Sequence, residues 1–193
     1  MYRRPVTERR KITDPDVLKG LAQPLRRRLY RLLCQLGPAT AGALAKRTES
    51  DPGLVSYHLR ELGRTGYIEE APELARDRRE RWWRAVPGST SWSHLDFTDP
   101  EGRAIADTVK AQMVADQLER LRAYERERDD WPDEWAEAAT STEGGLRLTP
   151  EETRAMSEEL QEVLIRWSQV GKGGVDDGRE HVFLFLHVFP ERP

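Results

Sequence analysis

One short stretch, residues 51–64, concentrates side chains that could grip a polyanion. At 100° per residue, Val55, Leu59 and Leu62 fall on one face of a helix, and Gly53, Ser56, Tyr57, Arg60 and Arg64 fall on the opposite one. Arg60 can offer a planar two-pronged fork to guanine O6 and N7, or grip a phosphate. Ser56 and Tyr57 sit near the helix start, where hydroxyls reach phosphates or base edges. Gly53 allows close approach of the backbone. The helix holds no Asn or Gln, the usual readers of adenine, so guanine contacts, thymine methyls and DNA shape are the expected readout. His58 lies at the edge of the apolar face and is expected to pack rather than bind. Further along, Arg76, Arg78 and Arg79 crowd four positions and suit a narrow minor groove or flanking phosphates. Thr40, which caps the preceding helix, completes the candidate set.

Catalytic and metal chemistry find less support. Gly171-Lys172-Gly173-Gly174 lacks the spaced glycine and Ser/Thr of a phosphate loop. His181 and His187, if on one strand, lie roughly 20 Å apart, too far to share a metal. His94 and Asp96 form only a weak pair of ligands. Cys34 is the single cysteine, which excludes an intramolecular disulfide and a zinc site of several thiolates. It is expected on the buried side of its helix. No enzyme activity and no cofactor are expected.

The elements that must hold these residues are legible from periodicity and punctuation. Asp14-Pro15 opens a short helix closed by Gly20. Pro24 opens a second, with Leu25, Leu29, Leu32, Leu33 and Leu36 as its apolar stripe, stopped by Gly37-Pro38. Thr40 caps a third through Arg47, with Ala41, Leu44 and Ala45 inward, and a turn at 48–53 leads to the helix 51–64. Strand-like segments Tyr67–Ala71 and Arg81–Val86 flank the arginine-rich loop, and only one of Trp82 and Trp83 can point into the core between them. Two short helices across a tight turn, then a hairpin with a basic tip, make the plan of a winged helix-turn-helix, whose second helix enters the major groove.

Charge supports the division. The 193 residues carry a net charge of −3, yet residues 1–88 hold 19 Lys and Arg against 11 Asp and Glu, while 89–193 hold 12 against 23. A basic half beside an acidic half points to nucleic acid as the partner of the basic one. The expected organisation is a basic arm at 1–12, the winged helix-turn-helix at 13–88, a linker at 89–98, and a region at 99–193 that dimerises and senses. In that last region Asp99-Pro100 opens a long helix to about Asp129. Ile105, Val109, Met113, Leu118 and Leu121 lie on its apolar stripe and are expected at a dimer interface. Trp131 and Trp135 extend the apolar path. Thr149-Pro150-Glu151-Glu152 starts another helix, with Met156, Leu160, Val163, Leu164 and Trp167 on one face. Residues 181–189 read as a strand pairing with 145–148. The expected fold class is α+β, mainly helical: a winged helix-turn-helix, a long helix, and a small α+β C-terminal unit that could close a ligand pocket.

Leu21-Ala22-Gln23-Pro24-Leu25-Arg26-Arg27-Arg28, Thr40 to Ala45, Val55-Ser56-Tyr57-His58-Leu59 with Leu62, Gly66-Tyr67-Ile68 and Arg79 to Arg84 together resemble the ArsR family of bacterial winged-helix transcriptional regulators, over about residues 13–88. The resemblance implies a homodimer on a palindromic operator, usually a repressor, released by an inducer. The paired cysteines of metal-sensing members are absent from helix 51–64, so metal sensing is not expected. Arginine outnumbers lysine 26 to 5 and asparagine is absent, usage that a GC-rich bacterial genome favours. A charged share of 34%, a mean hydropathy of −0.76 and no long apolar run suit a cytoplasmic protein away from membranes. The sequence thus points to a DNA-binding regulator. The alternative is a protein-interaction scaffold that works through its acidic, Trp-rich half and binds DNA weakly.

Overall fold

The computed structural model describes residues 9–77, 80–168, 170 and 178–192. The chain divides into two units, residues 1–116 and 117–193. The first opens with strand β1 (Arg9–Lys11), then helices α1 (Pro15–Lys19) and α2 (Pro24–Leu36), strand β2 (Ala39–Thr40), and helices α3 (Ala41–Thr48) and α4 (Pro52–Arg64). Each helix begins where a side chain or a proline resolves the unmet N–H groups of a first turn. Asp14 Oδ1 accepts from the Asp16 N–H at 2.8 Å, Thr40 Oγ1 from Ala43 at 3.2 Å, and Asp51 Oδ1 from Leu54 at 2.9 Å. Pro15, Pro24 and Pro52 sit in first turns, where their missing N–H costs nothing.

Leu18, Leu29, Leu33, Leu44, Val55, Leu59 and Leu62 from α1 to α4 converge with Tyr67, Ile68 and Trp83 in one core, each at most 6% exposed. The leucine stripe of α2 enters it at Leu29 and Leu33, while Leu36 at the helix end stays 46% exposed. Cys34 lies on the exposed side of α2 rather than its buried side. Strands β3 (Ile68–Glu70) and β4 (Trp82–Ala85) pair antiparallel, with Ile68 opposite Ala85 and Glu70 opposite Trp83. β2 adds to the other edge of β4, Thr40 opposite Trp82. Of the two tryptophans, Trp83 enters the core and Trp82 is half-buried, as strand alternation requires.

Residues 89–98 are part of this unit, not a linker. Strand β5 (Ser89–Ser91) runs parallel to β1, with Arg10 opposite Thr90, and Phe97 is only 2% exposed in the core. Lys11 and Asp96 pair at 2.7 Å, and Asp96 also accepts from the Ser93 N–H, so its carboxylate serves the fold rather than a metal. Helix α5 (Pro100–Glu127) then lays its first half onto the same core. Val109 is fully buried within its own chain and has no surface to offer a second copy. Ile105 and Met113 pack against that core, whereas Leu118 and Leu121 remain 41% and 38% exposed. The stripe expected to serve a dimer interface along its whole length is therefore taken up by its own core in its first half and open in its second.

The second unit takes the end of α5, a short helix α6 (Asp133–Ala138) and helix α7 (Pro150–Trp167), which starts with a reciprocal Thr149–Glu152 capping box. Trp131 and Trp135 meet edge to face at 6.4 Å, but Trp131 is 39% exposed and completes no core. The expected strands at 145–148 and 181–189 do not form: both segments lack ladder bonds among the described residues. Apolar alternation prepares a strand, but only a partner edge makes one. The C-terminal unit is accordingly helical with long irregular segments rather than α+β. No helix of the described residues is long and apolar enough to cross a membrane.

The turn between α3 and α4 holds the one non-glycine residue with positive φ among those described, Glu49 at 53°. Its N–H and that of Ser50 both close on the Ala45 carbonyl, so the left-handed step is imposed by the cap. Glu49→Gly is expected to raise stability by about 0.5–1 kcal/mol, the Cβ penalty removed less the added chain entropy. A higher urea midpoint at unchanged slope would show it.

Candidate nucleic-acid interface

Helix α4 owes its orientation to its inner face. Val55, Leu59 and Leu62 are 0% exposed, and Gly63 lies so close to Trp83 that an added Cβ would sit 2.9 Å from the indole. The far end is fixed by Arg10, whose guanidinium donates to the Gly66 carbonyl at 3.0 Å and the Thr65 carbonyl at 3.3 Å. Gly66 turns the chain there at φ 74°. With one face committed, the other is presented to solvent.

That outer face carries the expected residues. Tyr57 is 51% exposed; Gly53, Arg60 and Arg64 are exposed and Ser56 is half-buried. Arg60 Nε donates to the Ser56 carbonyl at 3.2 Å, which steadies the stem and leaves the two terminal amino groups without a partner among the described residues. Arg64 is tied to Glu61 at 3.2 Å, one turn back, and so meets a ligand with its charge partly offset. Leu54, 45% exposed at the start of α4, also lies open, where an apolar side chain can meet a thymine methyl. The sequence reading passed over it because a leucine at the rim of an apolar face looks like core.

Beside this face lies an open recess lined by Thr40, Ala41, Gly42, Ser56, Glu80 and Arg81. It joins the start of α3, the first turns of α4 and the loop end of the hairpin just before β4, so Thr40 and Ser56 share one surface. Arg76 is exposed near the hairpin tip; its N–H donates to Glu80 Oε2 at 2.9 Å. Arg78 and Arg79 lie outside the described residues. Arg81 pairs with Glu70 at 3.4 Å, and Arg84 pairs with Glu69 at 2.7 Å and with Glu73. The glutamates hold the Arg84 guanidinium above its ordinary pKa.

Much of the positive charge near the core works on the fold itself. Arg26 Nη2 donates to the Lys19 carbonyl at 2.7 Å and Arg28 Nη2 to the Arg47 carbonyl at 3.2 Å, both near helix C-termini where cations are favoured. Arg27 Nη1 binds the carbonyls of Leu21 and Ala22 and reaches Gln112 of α5 at 3.1 Å. Arg31 pairs with Asp116 at 2.9 Å. Net charge alone does not separate these structural arginines from Arg60 and Arg76.

Comparisons with known proteins agree with this geometry. Residues 21–70 match the family of helix-turn-helix domains. No curated protein matches the chain. Among solved structures, a possible transcriptional regulator for arsenical resistance is 30% identical, covering 56% of this chain and 94% of its own, with a TM-score of 0.32. The homodimeric winged helix-turn-helix DNA-binding domain of a possible ArsR-family regulator from Mycobacterium bovis is 24% identical over 53% of this chain and 77% of its own, TM-score 0.33. An ArsR family transcriptional regulator is 22% identical over 55% and 88%, TM-score 0.32. The helix-turn-helix match falls on α2 to β3, the helices and strand that carry the exposed face of α4.

His58 supports α4 from within. It is 9% exposed, meets Tyr57 edge to face at 5.2 Å, and its Nδ1 is buried without a hydrogen-bond partner among the described residues. Burial, reinforced by Arg26 and opposed by Glu61, pushes its pKa below 6.5. The unfolded chain then binds more protons than the folded one as the medium acidifies, so stability is lost as pH falls below about 6.5. Urea denaturation at pH 7.5 and 5.5 should show this loss, and His58→Leu should reduce it; an unchanged pH slope in the variant would assign the loss to other groups.

Proposed function

We propose that this ArsR-like winged helix-turn-helix protein is a sequence-specific DNA-binding transcriptional regulator, acting as a homodimer on a palindromic operator and repressing by occupying it. One observation carries the reading: α4 buries Val55, Leu59 and Leu62 and turns Tyr57, Arg60 and Arg64 outward, beside the recess that holds Thr40 and Ser56. In a helix-turn-helix that outer face is the one laid along base edges in the major groove. Arg60 reads bases, Tyr57 and Leu54 supply apolar contact, and Thr40 and Ser56 meet backbone phosphates. Arg76, with Arg78 and Arg79, extends the footprint to the adjacent groove.

A single helix of this kind spans only a few base pairs, too few to find one site in a genome. Two copies related by a two-fold axis double the contacts, which is why the homodimer and the palindrome belong to the same proposal. Repression then needs no further surface on the protein, since a dimer seated on a promoter excludes polymerase.

The test is fluorescence anisotropy with the protein's own promoter fragments and scrambled DNA across a salt series. One short palindrome should bind far more tightly than scrambled DNA. Arg60→Ala should cost about 1–3 kcal/mol on that palindrome and little on scrambled DNA. Equal losses on both would remove base reading from Arg60. Arg76→Ala should instead weaken all sequences evenly and lower the salt slope by about 1.

A further inference from the structure

The surface assigned to DNA holds an acid. Glu80, half-buried, lines the recess with Thr40, Gly42 and Ser56, where a polyanion has to approach it. The glutamates of the strands spend their charge on guanidinium groups, Glu70 on Arg81, and Glu69 and Glu73 on Arg84. Glu80 spends its own on backbone. Its Oε2 accepts the Arg76 N–H at 2.9 Å, and its N–H donates to Asp77 Oδ1 at 3.1 Å and to the Asp77 carbonyl at 3.4 Å. Asp77-Arg78-Arg79-Glu80 follows the spacing of a capping box, in which two acidic or hydroxylic side chains three positions apart each take a backbone N–H near the other. Here the returned bond goes one residue further back, to Arg76, so the clasp closes on both ends of 76–80. The bond from the Arg76 N–H also holds the Glu80 carboxyl below the usual carboxylate range.

We propose that Glu80 is the positioning residue of the hairpin tip: its carboxylate fastens the backbone at Arg76 and so holds the Arg76 guanidinium ready for phosphates beside the recess. The inference rests on the DNA-binding reading above and deepens it. Arg76 gains order from the clasp without losing charge, because the bond is made to its backbone and its guanidinium has no partner among the described residues. Arg81 and Arg84 are held by pairing that offsets their charge; Arg76 is held and left fully cationic. A loop that is loose beforehand must be ordered on binding, which subtracts from affinity, and a fastened one avoids that loss. The role reverses the sign expected of an acid on such a surface. Deleting a negative charge beside DNA strengthens binding by electrostatics alone, whereas deleting the clasp weakens it. Glu80→Gln separates the two, since an amide oxygen still accepts the Arg76 N–H while the charge is gone.

The experiment is fluorescence anisotropy of the full chain with its own promoter fragments and with scrambled DNA across a salt series, joined to amide hydrogen exchange of the same variants. Glu80→Ala should weaken both DNAs about fivefold and lower the salt slope by about 1, the loss of one phosphate contact, with helical circular dichroism unchanged. Glu80→Gln should bind as tightly as the wild type or more so. In an Arg76→Ala background, Glu80→Ala should no longer weaken binding, because both changes act through one guanidinium. Exchange of the Arg76 N–H should quicken in Glu80→Ala and stay slow in Glu80→Gln, a readout that needs no DNA. Tighter binding by Glu80→Ala would overturn the proposal in favour of plain repulsion. A loss confined to the promoter palindrome would make Glu80 a base reader and overturn it as well. A loss shared equally by Glu80→Gln, or unchanged Arg76 exchange in Glu80→Ala, would remove the clasp while leaving the DNA-binding reading intact. A wild type that binds neither DNA would remove that reading and this role with it.

Discussion

The burial of Val55, Leu59 and Leu62 is the constraint on which the rest of the structure depends. A helix cannot turn one stripe inward without turning the opposite stripe outward, so packing and presentation are one event. Three side chains at four- and three-residue spacing set the rotation of α4 about its axis. Gly63 against Trp83 and the Arg10 clamp on Thr65 and Gly66 then limit its slide and tilt. Arg60 can afford to be exposed because none of the work of folding falls on it.

The arginines show how charge is divided between two tasks. Arg26, Arg27 and Arg28 close on carbonyls at helix ends and loops, and Arg31 meets a carboxylate on α5. Guanidinium suits this because a single fork can satisfy several carbonyls at once, as Arg27 does for Leu21 and Ala22. Arg60, by contrast, spends only its Nε on a carbonyl and keeps both terminal amino groups clear among the described residues. A basic half of a sequence is thus a mixture, and only the structure sorts it.

Legibility followed the range of the interactions. Three helix starts were readable to the residue, since Asp14, Thr40 and Thr149 act on N–H groups two or three positions away; the cap at Asp51 lay hidden inside a stretch that reads as a turn. The outer face of α4 was equally readable, because periodicity is local. What escaped depended on distant partners. The parallel pairing of β1 with β5 joins residues eighty positions apart through short polar strands that carry no hydrophobic alternation. The first half of α5 packs on its own chain, and nothing in its stripe distinguishes that from a second copy. The strip at 181–189 has the composition of a strand, yet its pairing depends on an edge that composition does not specify.

The glutamates of the hairpin give the sheet a different kind of meaning. Arg81 and Arg84 are already in place beside the recognition surface, held in check by Glu70, Glu69 and Glu73. Loss of Glu70 would unmask Arg81, and loss of Glu69 together with Glu73 would unmask Arg84, without inserting a new side chain. Affinity for DNA can therefore drift upward through mutations that delete charge rather than add it. The hairpin is in that sense a tuning dial for lineages, adjustable in small steps while α4 itself stays the same.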